Sequence, residues 1–147
     1  QFCAGRAFGA KRRGRCMKLS LNRSAFRYSL GTRGEIAAAE YLRGKKFKIL
    51  QKNYRCGIGE IDLIAEKGGR IHFVEIKTRS GHGFGTPEEA VDRKKQAKIV
   101  KLAEWYLQTM KLRDTRVSLD VLGVTWQENG EPVFRFIEGA FEKEDDR

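Results

Sequence analysis

The stretch that decides the fold runs from Gly59 to Arg79 and reads GEIDLIAEKGGRIHFVEIKTR. Two runs rich in β-branched and aromatic residues flank Gly68-Gly69, a pattern that predicts a β-hairpin with a two-residue turn. Lys67 then opposes Arg70, and paired positions along the two strands sum to 137. The turn therefore predicts the register of the whole hairpin, because a slip by one residue would move every side chain to the opposite face.

In this register, four charges interrupt the apolar runs on one face of the hairpin. Asp62 is expected opposite Glu75, and Glu60 is expected opposite Lys77. The apolar residues that continue this face are Ile64, Ile71 and Phe73, and those on the other face are Ile61, Leu63, Ala65, Val74 and Ile76. Both faces are apolar over much of their length, as expected for strands that are covered on both sides.

The opposition of Asp62 and Glu75 is the feature that points to chemistry. Like charges in directly opposed positions destabilise an antiparallel pair, by roughly 3 kcal/mol at about 5 Å and an effective dielectric of about 20. A divalent cation would offset this repulsion, since Mg²⁺ is commonly held by one or two carboxylates together with substrate phosphate. Lys77 would point into the same site. The alternative is a surface charge cluster in which Glu60 and Lys77 form a cross-strand ion pair.

The rest of the chain predicts two helices and three further strands. In order, the predicted elements are a helix over 32–47, a strand over 48–54, the hairpin over 60–79, a helix from Pro87 to about Met110, and strands over 116–126 and 132–138. Thr32 and Glu35 have the spacing of a capping box, and Thr86 is the expected cap of the second helix. Trp105 and Trp126 are expected in the core. The order αβββαββ predicts a mixed central sheet flanked by helices, which is an α/β fold.

Length and composition fit one globular domain. The chain has 147 residues, of which 40% are hydrophobic and 33% charged, and no apolar run approaches the roughly 18 residues of a membrane span. The three cysteines form no CxxC pair, and the two histidines form no HxH or HExxH motif. The sequence therefore indicates neither a disulfide framework nor a structural zinc site, and a reducing, cytoplasmic setting is the expectation.

The net charge of +11 is concentrated at the start of the chain. Residues 1–30 hold eight basic residues and no acid, which leaves about +3 for residues 31–147. We expect 1–30 to be a basic, disordered arm, 31–141 to be the folded domain and 142–147 to be a charged tail. The arm is interpreted as solvated chain or as a phosphate-binding segment. Met17 is also a candidate start, which would make residues 1–16 unrelated sequence, and an arginine-rich start is typical of transit peptides.

The motifs resemble a known family. Asp62 followed by Glu75-Ile76-Lys77 on the next strand resembles the D…(D/E)xK core of the PD-(D/E)xK nuclease superfamily, and the preceding helix with Glu35 is similar to archaeal Holliday-junction resolvases. More closely, the chain resembles the YraN-like family over about residues 31–138. The segments that carry this resemblance are TRGEIAAAEYL, GEIDLIA, FVEIKTR and FGTPEEAVDRKKQ. The resemblance implies a restriction-endonuclease-like fold and an endonuclease-like activity.

The resemblance also implies roles for single residues. Asp62 and Glu75 would be ligands of Mg²⁺ or Mn²⁺, with the carbonyl of Ile76 completing the set. Lys77 would orient or activate the attacking water and stabilise charge on the phosphorus. Glu35 would be a further catalytic-site acid that approaches from the helix, either as a ligand of a second metal or through a water molecule. Two departures stand out: Ile61 occupies the position of the proline in the superfamily motif, and Gln96 is only a loose match to the Gln or Lys that some nucleases add from the second helix. Glu35 has the alternative of closing the capping box.

The second helix carries the surface that would bind nucleic acid. Lys94, Lys98 and Lys101 lie at i, i+4 and i+7, and Arg79 is a further candidate contact. The alternative is that this stripe is the solvated side of an amphipathic helix whose buried side includes Ile99, Leu102 and Tyr106. The sequence predicts a metal-dependent endonuclease acting on DNA, with branched DNA as a candidate substrate and a homodimer as a candidate assembly. The alternatives are a non-catalytic nucleic-acid-binding protein and an interaction module in DNA processing.

Overall fold

The structure is a computed structural model that describes residues 28–81 and 86–142. The predicted basic arm lies outside the described residues except for its last three positions. The loop at 82–85 and residues 143–147 of the predicted tail lie outside them as well.

Over residues 28–81 and 86–142, two α-helices and five β-strands follow one another in the predicted order. They are α1 (Leu30–Gly44), β1 (Lys48–Cys56), β2 (Gly59–Lys67), β3 (Arg70–Ser80), α2 (Arg93–Thr109), β4 (Arg116–Trp126) and β5 (Pro132–Ile137), with a short 3₁₀ turn at Glu88–Ala90 before α2. The prediction of an α/β fold with the order αβββαββ is confirmed, and the architecture is consistent with a restriction-endonuclease-like fold.

The five strands form one mixed sheet in the order β1-β2-β3-β4-β5. Three neighbouring pairs are antiparallel, and β3 with β4 is the parallel pair. A parallel connection needs a crossover, and α2 lies between these two strands in the chain. The first residues of α2 are thereby brought back to the sheet beside β3, which places Lys95 3.5 Å from Glu75.

The hairpin has the predicted register over only part of its length. Pairs from Lys67–Arg70 to Leu63–Val74 sum to 137 as expected. Within the described residues the ladder between β2 and β3 ends there, so the expected pairs Asp62–Glu75 and Glu60–Lys77 are not formed as ladder pairs. The reason is local: the Asp62 carboxylate, rather than a backbone carbonyl, accepts the Ile76 N–H at 2.7 Å. From Glu75 onward β3 pairs with β4 alone.

The central strands are covered on both faces, as predicted. One face packs against α2 in a cluster that includes Ile64, Phe73, Ile99, Leu102 and Tyr106. The opposite face packs against α1 in a cluster that includes Ala38, Leu42, Leu63, Val74 and Leu122. Ile61 belongs to the α2 cluster and not, as predicted, to the face of Leu63. It precedes Asp62, where β2 has already separated from β3.

Both helices begin at different caps from those predicted. The cap of α1 is Ser29, whose hydroxyl accepts from the Thr32 N–H at 3.3 Å. Thr32 is therefore inside the first turn, and the prediction of a Thr32–Glu35 capping box is wrong. Thr86 does form a reciprocal box with Glu89, but this box closes the 3₁₀ turn, and Asp92 caps α2.

A glycine sets the distance between α1 and the sheet. A Cβ atom at Gly34 would lie 1.8 Å from Oγ1 of Thr78 and 2.8 Å from its Cβ. No side-chain rotation removes the second of these overlaps, so the residue at this position must be glycine for α1 to lie this close to β3. The next residue along the helix is Glu35, which is held near the sheet by the same contact.

Of the two tryptophans predicted to be buried, one is exposed. Trp126 is 5% exposed and lies beneath the Arg33 guanidinium, 4.5 Å from the ring centroid. Trp105 on α2 is 47% exposed, so the prediction that it lies in the core was wrong. Among the described residues, no helix is long and apolar enough to cross a membrane.

Candidate active site

The site forms where β2 separates from β3. Strand β2 brings Asp62, whose Oδ2 accepts the Ile76 N–H at 2.7 Å. Because N–H and C=O of one residue point to the same side of a strand, the Ile76 carbonyl also points toward β2. The end of the ladder thus leaves a notch in the sheet, bordered by the Asp62 carboxylate, the Ile76 backbone and the Glu75 side chain.

Glu75 is a buried carboxylate with two lysines on one of its oxygens. Its side chain is 6% exposed, and Oε1 lies 3.4 Å from Lys77 Nζ and 3.5 Å from Lys95 Nζ. The other oxygen, Oε2, is buried and has no hydrogen-bond partner among the described residues. A desolvated carboxylate oxygen without a donor is costly, so this atom favours an additional cation or donor beside it.

Both carboxylates have raised pKa values. Burial raises the pKa of Asp62, against the hydrogen bond from Ile76 and the charges of Lys95 and Lys77. Burial also raises the pKa of Glu75, and the charge of Asp62 raises it further, while the two lysines act in the opposite direction. Because the Asp62 carboxylate contacts the backbone of the residue that follows Glu75, the two side chains are close to each other as predicted, even though their backbones are not paired.

Glu35 approaches the same site from α1. Burial raises its pKa, the charge of Asp62 raises it further, and a hydrogen bond from the Asn53 side chain lowers it. Asn53 has φ = 49°, a left-handed conformation inside β1 that asparagine tolerates better than most residues. Because Ser29 and not Thr32 caps α1, Glu35 is not engaged in a capping box. The alternative role that the sequence left open for this residue is thereby removed.

A cavity of about 130 Å³ lies between α1, β1 and the notch. It is lined by Thr32, Glu35, Ile36, Lys52, Asn53, Asp62, Leu63 and Ile76. Glu35 and Asp62 therefore face a common space, with Lys52 at its border. This space is large enough to hold several water molecules or part of a ligand.

The predicted nucleic-acid contacts lie at different places. Lys94, Lys98 and Lys101 are exposed along α2, whereas Arg79 is partly buried near the end of β3. Gln96 donates its amide to the Val91 carbonyl at 2.9 Å, so it stabilises the start of α2. These positions leave the nucleic-acid role of the three lysines and Arg79 as a prediction.

Two residues of the site, Lys95 and Asn53, were not among the residues predicted from the sequence. Lys95 lies on the side of α2 between exposed Lys94 and buried Ile99, so a helical projection indicates that it faces the sheet. For Asn53 the sequence offers only a weak signal, which is a turn-favouring residue inside an otherwise strand-like run.

The chemistry of these residues fits a divalent cation whose remaining coordination positions are filled by a bound substrate. Two carboxylates, one with a buried and unpartnered oxygen, and a carbonyl directed toward them are hard oxygen donors of the type that Mg²⁺ prefers. No group of three or more His, Cys, Asp and Glu side chains in the described part of the chain forms a ready metal site. Two carboxylates are nevertheless sufficient where substrate phosphate supplies the remaining oxygens.

Fold and site together define the class: an α/β protein with a five-stranded mixed sheet and a buried carboxylate–lysine site at the end of a β-ladder. The model of the family described as "Uncharacterised protein family UPF0102" matches residues 34–124, more than half of the chain. The chain belongs to this family, which confirms the resemblance to YraN-like proteins.

Relatives in several bacteria match most of the domain. UPF0102 protein TTE1452 of Caldanaerobacter subterraneus subsp. tengcongensis is 48% identical over 96 residues, which cover 65% of this chain and 79% of the relative. The UPF0102 protein of Moorella thermoacetica is 42% identical over 113 residues, covering 76% and 93%. Among solved structures, SfsA of Pyrococcus furiosus in complex with Ca²⁺ aligns with a TM-score of 0.32 and 16% identity, over 72% of this chain and 61% of SfsA.

Proposed function

We propose that this protein is a metal-dependent endonuclease of the PD-(D/E)xK superfamily, which hydrolyses phosphodiester bonds in DNA. The observation that carries the proposal is buried Glu75, with two lysines on one oxygen and an unpartnered second oxygen, next to Asp62. Burial of like charges is destabilising. A site that binds a cation and a phosphate accounts for the presence of both signs of charge in one notch.

The order of the residues along the chain supports the superfamily assignment. An aspartate on one strand is followed by Glu-x-Lys on the next, and the ladder between the strands ends at the aspartate. Ile61 replaces the proline of the motif. Since this position packs into the core and offers no ligand atom, the replacement leaves the chemistry of the site unchanged.

Asp62, Glu75 and the carbonyl of Ile76 would hold Mg²⁺ or Mn²⁺. The bound ion would polarise the scissile phosphate and lower the pKa of a water molecule, so that a nucleophile is available at neutral pH. Lys77 is 29% exposed and already directed toward Glu75. Its ammonium group would orient the attacking water and stabilise the negative charge that develops on the phosphate oxygens.

Lys95 and Glu35 have supporting roles in this proposal. Lys95 neutralises Glu75 when no other cation is present, and in the complex its ammonium would be free to contact phosphate. Glu35 has a raised pKa and a hydrogen bond from Asn53. It faces the cavity beside Asp62, where it would hold a water molecule or act as an additional acid on the α1 side of the reacting phosphate.

The proposal is tested by incubating the protein with end-labelled substrates. Linear duplex, single-stranded and four-way-junction DNA, together with an RNA of the same sequence, are each incubated with Mg²⁺, with Mn²⁺ or with EDTA. The proposal predicts cleavage of at least one DNA substrate that requires the metal and stops in EDTA.

Variants identify the source of any activity in the preparation. Glu75→Gln should abolish cleavage, whereas Glu128→Gln, at an exposed position after β4, should leave it unchanged. The proposal is refuted if pure protein cleaves no DNA with either metal, or if Glu75→Gln cleaves as fast as the wild type.

A further inference from the structure

One side of α2 presents three lysines and a tryptophan in a single line. Lys94, Lys98, Lys101 and Trp105 are spaced by four, three and four residues, which places them on one side of a helix of 3.6 residues per turn. All four are exposed, Trp105 to 47%. We call this line the α2 stripe.

The start of α2 is capped by Asp92 but is otherwise basic. Its first turn carries Arg93, Lys94 and Lys95 and no acidic residue. Since the positive end of the helix macrodipole is at the N-terminus, basic residues there are unfavourable and anions are favourable. Beyond the Asp92 cap, the three basic side chains of the first turn are therefore suited to an anion from outside the helix.

The stripe begins beside the candidate active site. Lys95, the neighbour of Lys94, lies 3.5 Å from Glu75. From Lys94 the stripe continues along α2 to Trp105, a distance of about 16 Å at 1.5 Å per residue. A polyanion with one phosphate in the notch could therefore extend along the three lysines and reach the tryptophan.

The composition of the stripe selects one occupant. Two copies of this protein facing each other on the stripe would bring six lysines together, with only Glu104 of each copy beside them, so a second copy is disfavoured by charge. A nucleic acid supplies the complementary charge. In a duplex, neighbouring pairs cover the faces of the bases, whereas an unpaired base can stack on an aromatic ring. A lysine track that ends in an exposed tryptophan therefore matches a single strand.

We propose that the α2 stripe binds a single-stranded segment of nucleic acid, with phosphates on Lys94, Lys98 and Lys101 and a base stacked on Trp105. The inference rests on the proposed function for the ligand being a nucleic acid, and it adds that the bound segment is single-stranded. The substrate would be DNA in which an unpaired strand adjoins the scissile phosphate, as at a branch, a flap or an overhang.

The test measures binding in EDTA by fluorescence anisotropy, so that cleavage plays no part. The probes are a labelled single strand and a labelled duplex of 20 nucleotides and 20 base pairs. Trp105→Ala should weaken single-strand binding about tenfold, because stacking contributes about 1–3 kcal/mol per base. Duplex binding should change by less than about twofold. Trp105→Phe, which keeps an aromatic face, should retain most of the single-strand affinity.

Matched variants control for exposure and charge. Met110 is also 47% exposed at the end of α2, and Met110→Ala should leave both affinities unchanged. Replacing all three stripe lysines by glutamine should reduce the slope of log K against log salt by about 2 on the single strand.

The inference is overturned if Trp105→Ala weakens both probes equally or neither, or if the triple variant keeps the wild-type salt slope. It is also overturned if the wild type is a dimer that Trp105→Ala dissociates while single-strand affinity is retained. Absence of binding to any nucleic acid refutes this inference and the proposed function together. Selective single-strand binding without cleavage in Mg²⁺ refutes the proposed function alone.

Discussion

At the scale of single residues, Asp62 combines a structural and an electrostatic effect. Its carboxylate replaces a backbone acceptor for Ile76, which ends the ladder, and its charge raises the pKa of Glu75. The hydrogen bond needs only an oxygen, which asparagine also provides, whereas the repulsion needs the charge. Substitution by asparagine therefore separates the two effects.

We predict that Asp62→Asn is more stable than the wild type at neutral pH without metal, by about 1 kcal/mol after screening by the two lysines. Asp62 and Glu75 have pKa values raised by burial. The folded state therefore holds these protons more tightly than the unfolded chain. The contribution of these two protonated carboxyl groups to the stability of the folded state is fully present below the ordinary carboxyl pKa of about 4. It is lost as pH rises through the raised pKa values. The advantage of the variant should increase over that range.

Thermal melts of both proteins between pH 4 and 8, with and without Mg²⁺, measure this effect. Mg²⁺ should stabilise the wild type more at pH 8 than at pH 5 and the variant much less, since a ligand of the folded state stabilises by mass action. Glu66→Gln, on the same strand but outside the site, should follow the wild type. A wild type that does not respond to metal, together with a variant of no greater stability, would contradict the prediction.

Asn53 allows a second test at this scale, because its backbone and its side chain have separate roles. Its φ of 49° is strained for most residues, and its amide binds Glu35. Asn53→Ala should lose about 1–2 kcal/mol in urea unfolding. Asn53→Gly, which adopts this conformation without strain, should remain near the wild type. If Asn53 positions Glu35, both variants should slow cleavage equally. Full activity of the glycine variant would show that Asn53 is needed only for the turn of the backbone.

At the scale of elements, the position of α1 depends on Gly34. A Cβ at this position would overlap Thr78 on β3, so Gly34→Ala must move the helix away from the sheet and carry Glu35 with it. We expect a loss of about 1–3 kcal/mol, the usual range for overpacking, measured by urea unfolding. Gly44, at the other end of the same helix, has open space around a Cβ, and Gly44→Ala should gain about 0.5–1 kcal/mol. Equal effects of the two substitutions would contradict this account of the packing.

The elements were largely predictable, because their signals are local. The turn at Gly68-Gly69 gave the correct register as far as Leu63–Val74. The caps were less accurate, since Ser29 and Thr32 both fit a cap and the pattern of charges favoured the wrong one. The end of the ladder could not be read from the sequence at all. It depends on a side chain competing with the backbone for Ile76, and alternation of residues carries no sign of such competition.

At the scale of the whole molecule, the candidate site is assembled from five elements, and the sequence motif relates only the residues on the hairpin. Asp62, Glu75 and Lys77 are separated by 15 residues or fewer, and one motif relates them. Lys95 reaches Glu75 only because α2 crosses back between β3 and β4. Trp105 was assigned to the core by its hydrophobicity, although its position in line with Lys98 and Lys101 already indicated the exposed side of the helix.

The central claim is that Lys77, beside Glu75, acts on the reacting phosphate, and single-turnover cleavage of labelled DNA in Mg²⁺ tests it most directly. Lys77→Ala should fold, should keep the stabilisation by metal and should cleave at least about a hundredfold more slowly, the usual cost of losing one stabilising group in a transition state. Lys48→Ala, which removes the same charge at the far end of β1, should cleave at the wild-type rate. Equal rates for Lys77→Ala and the wild type would contradict the claim.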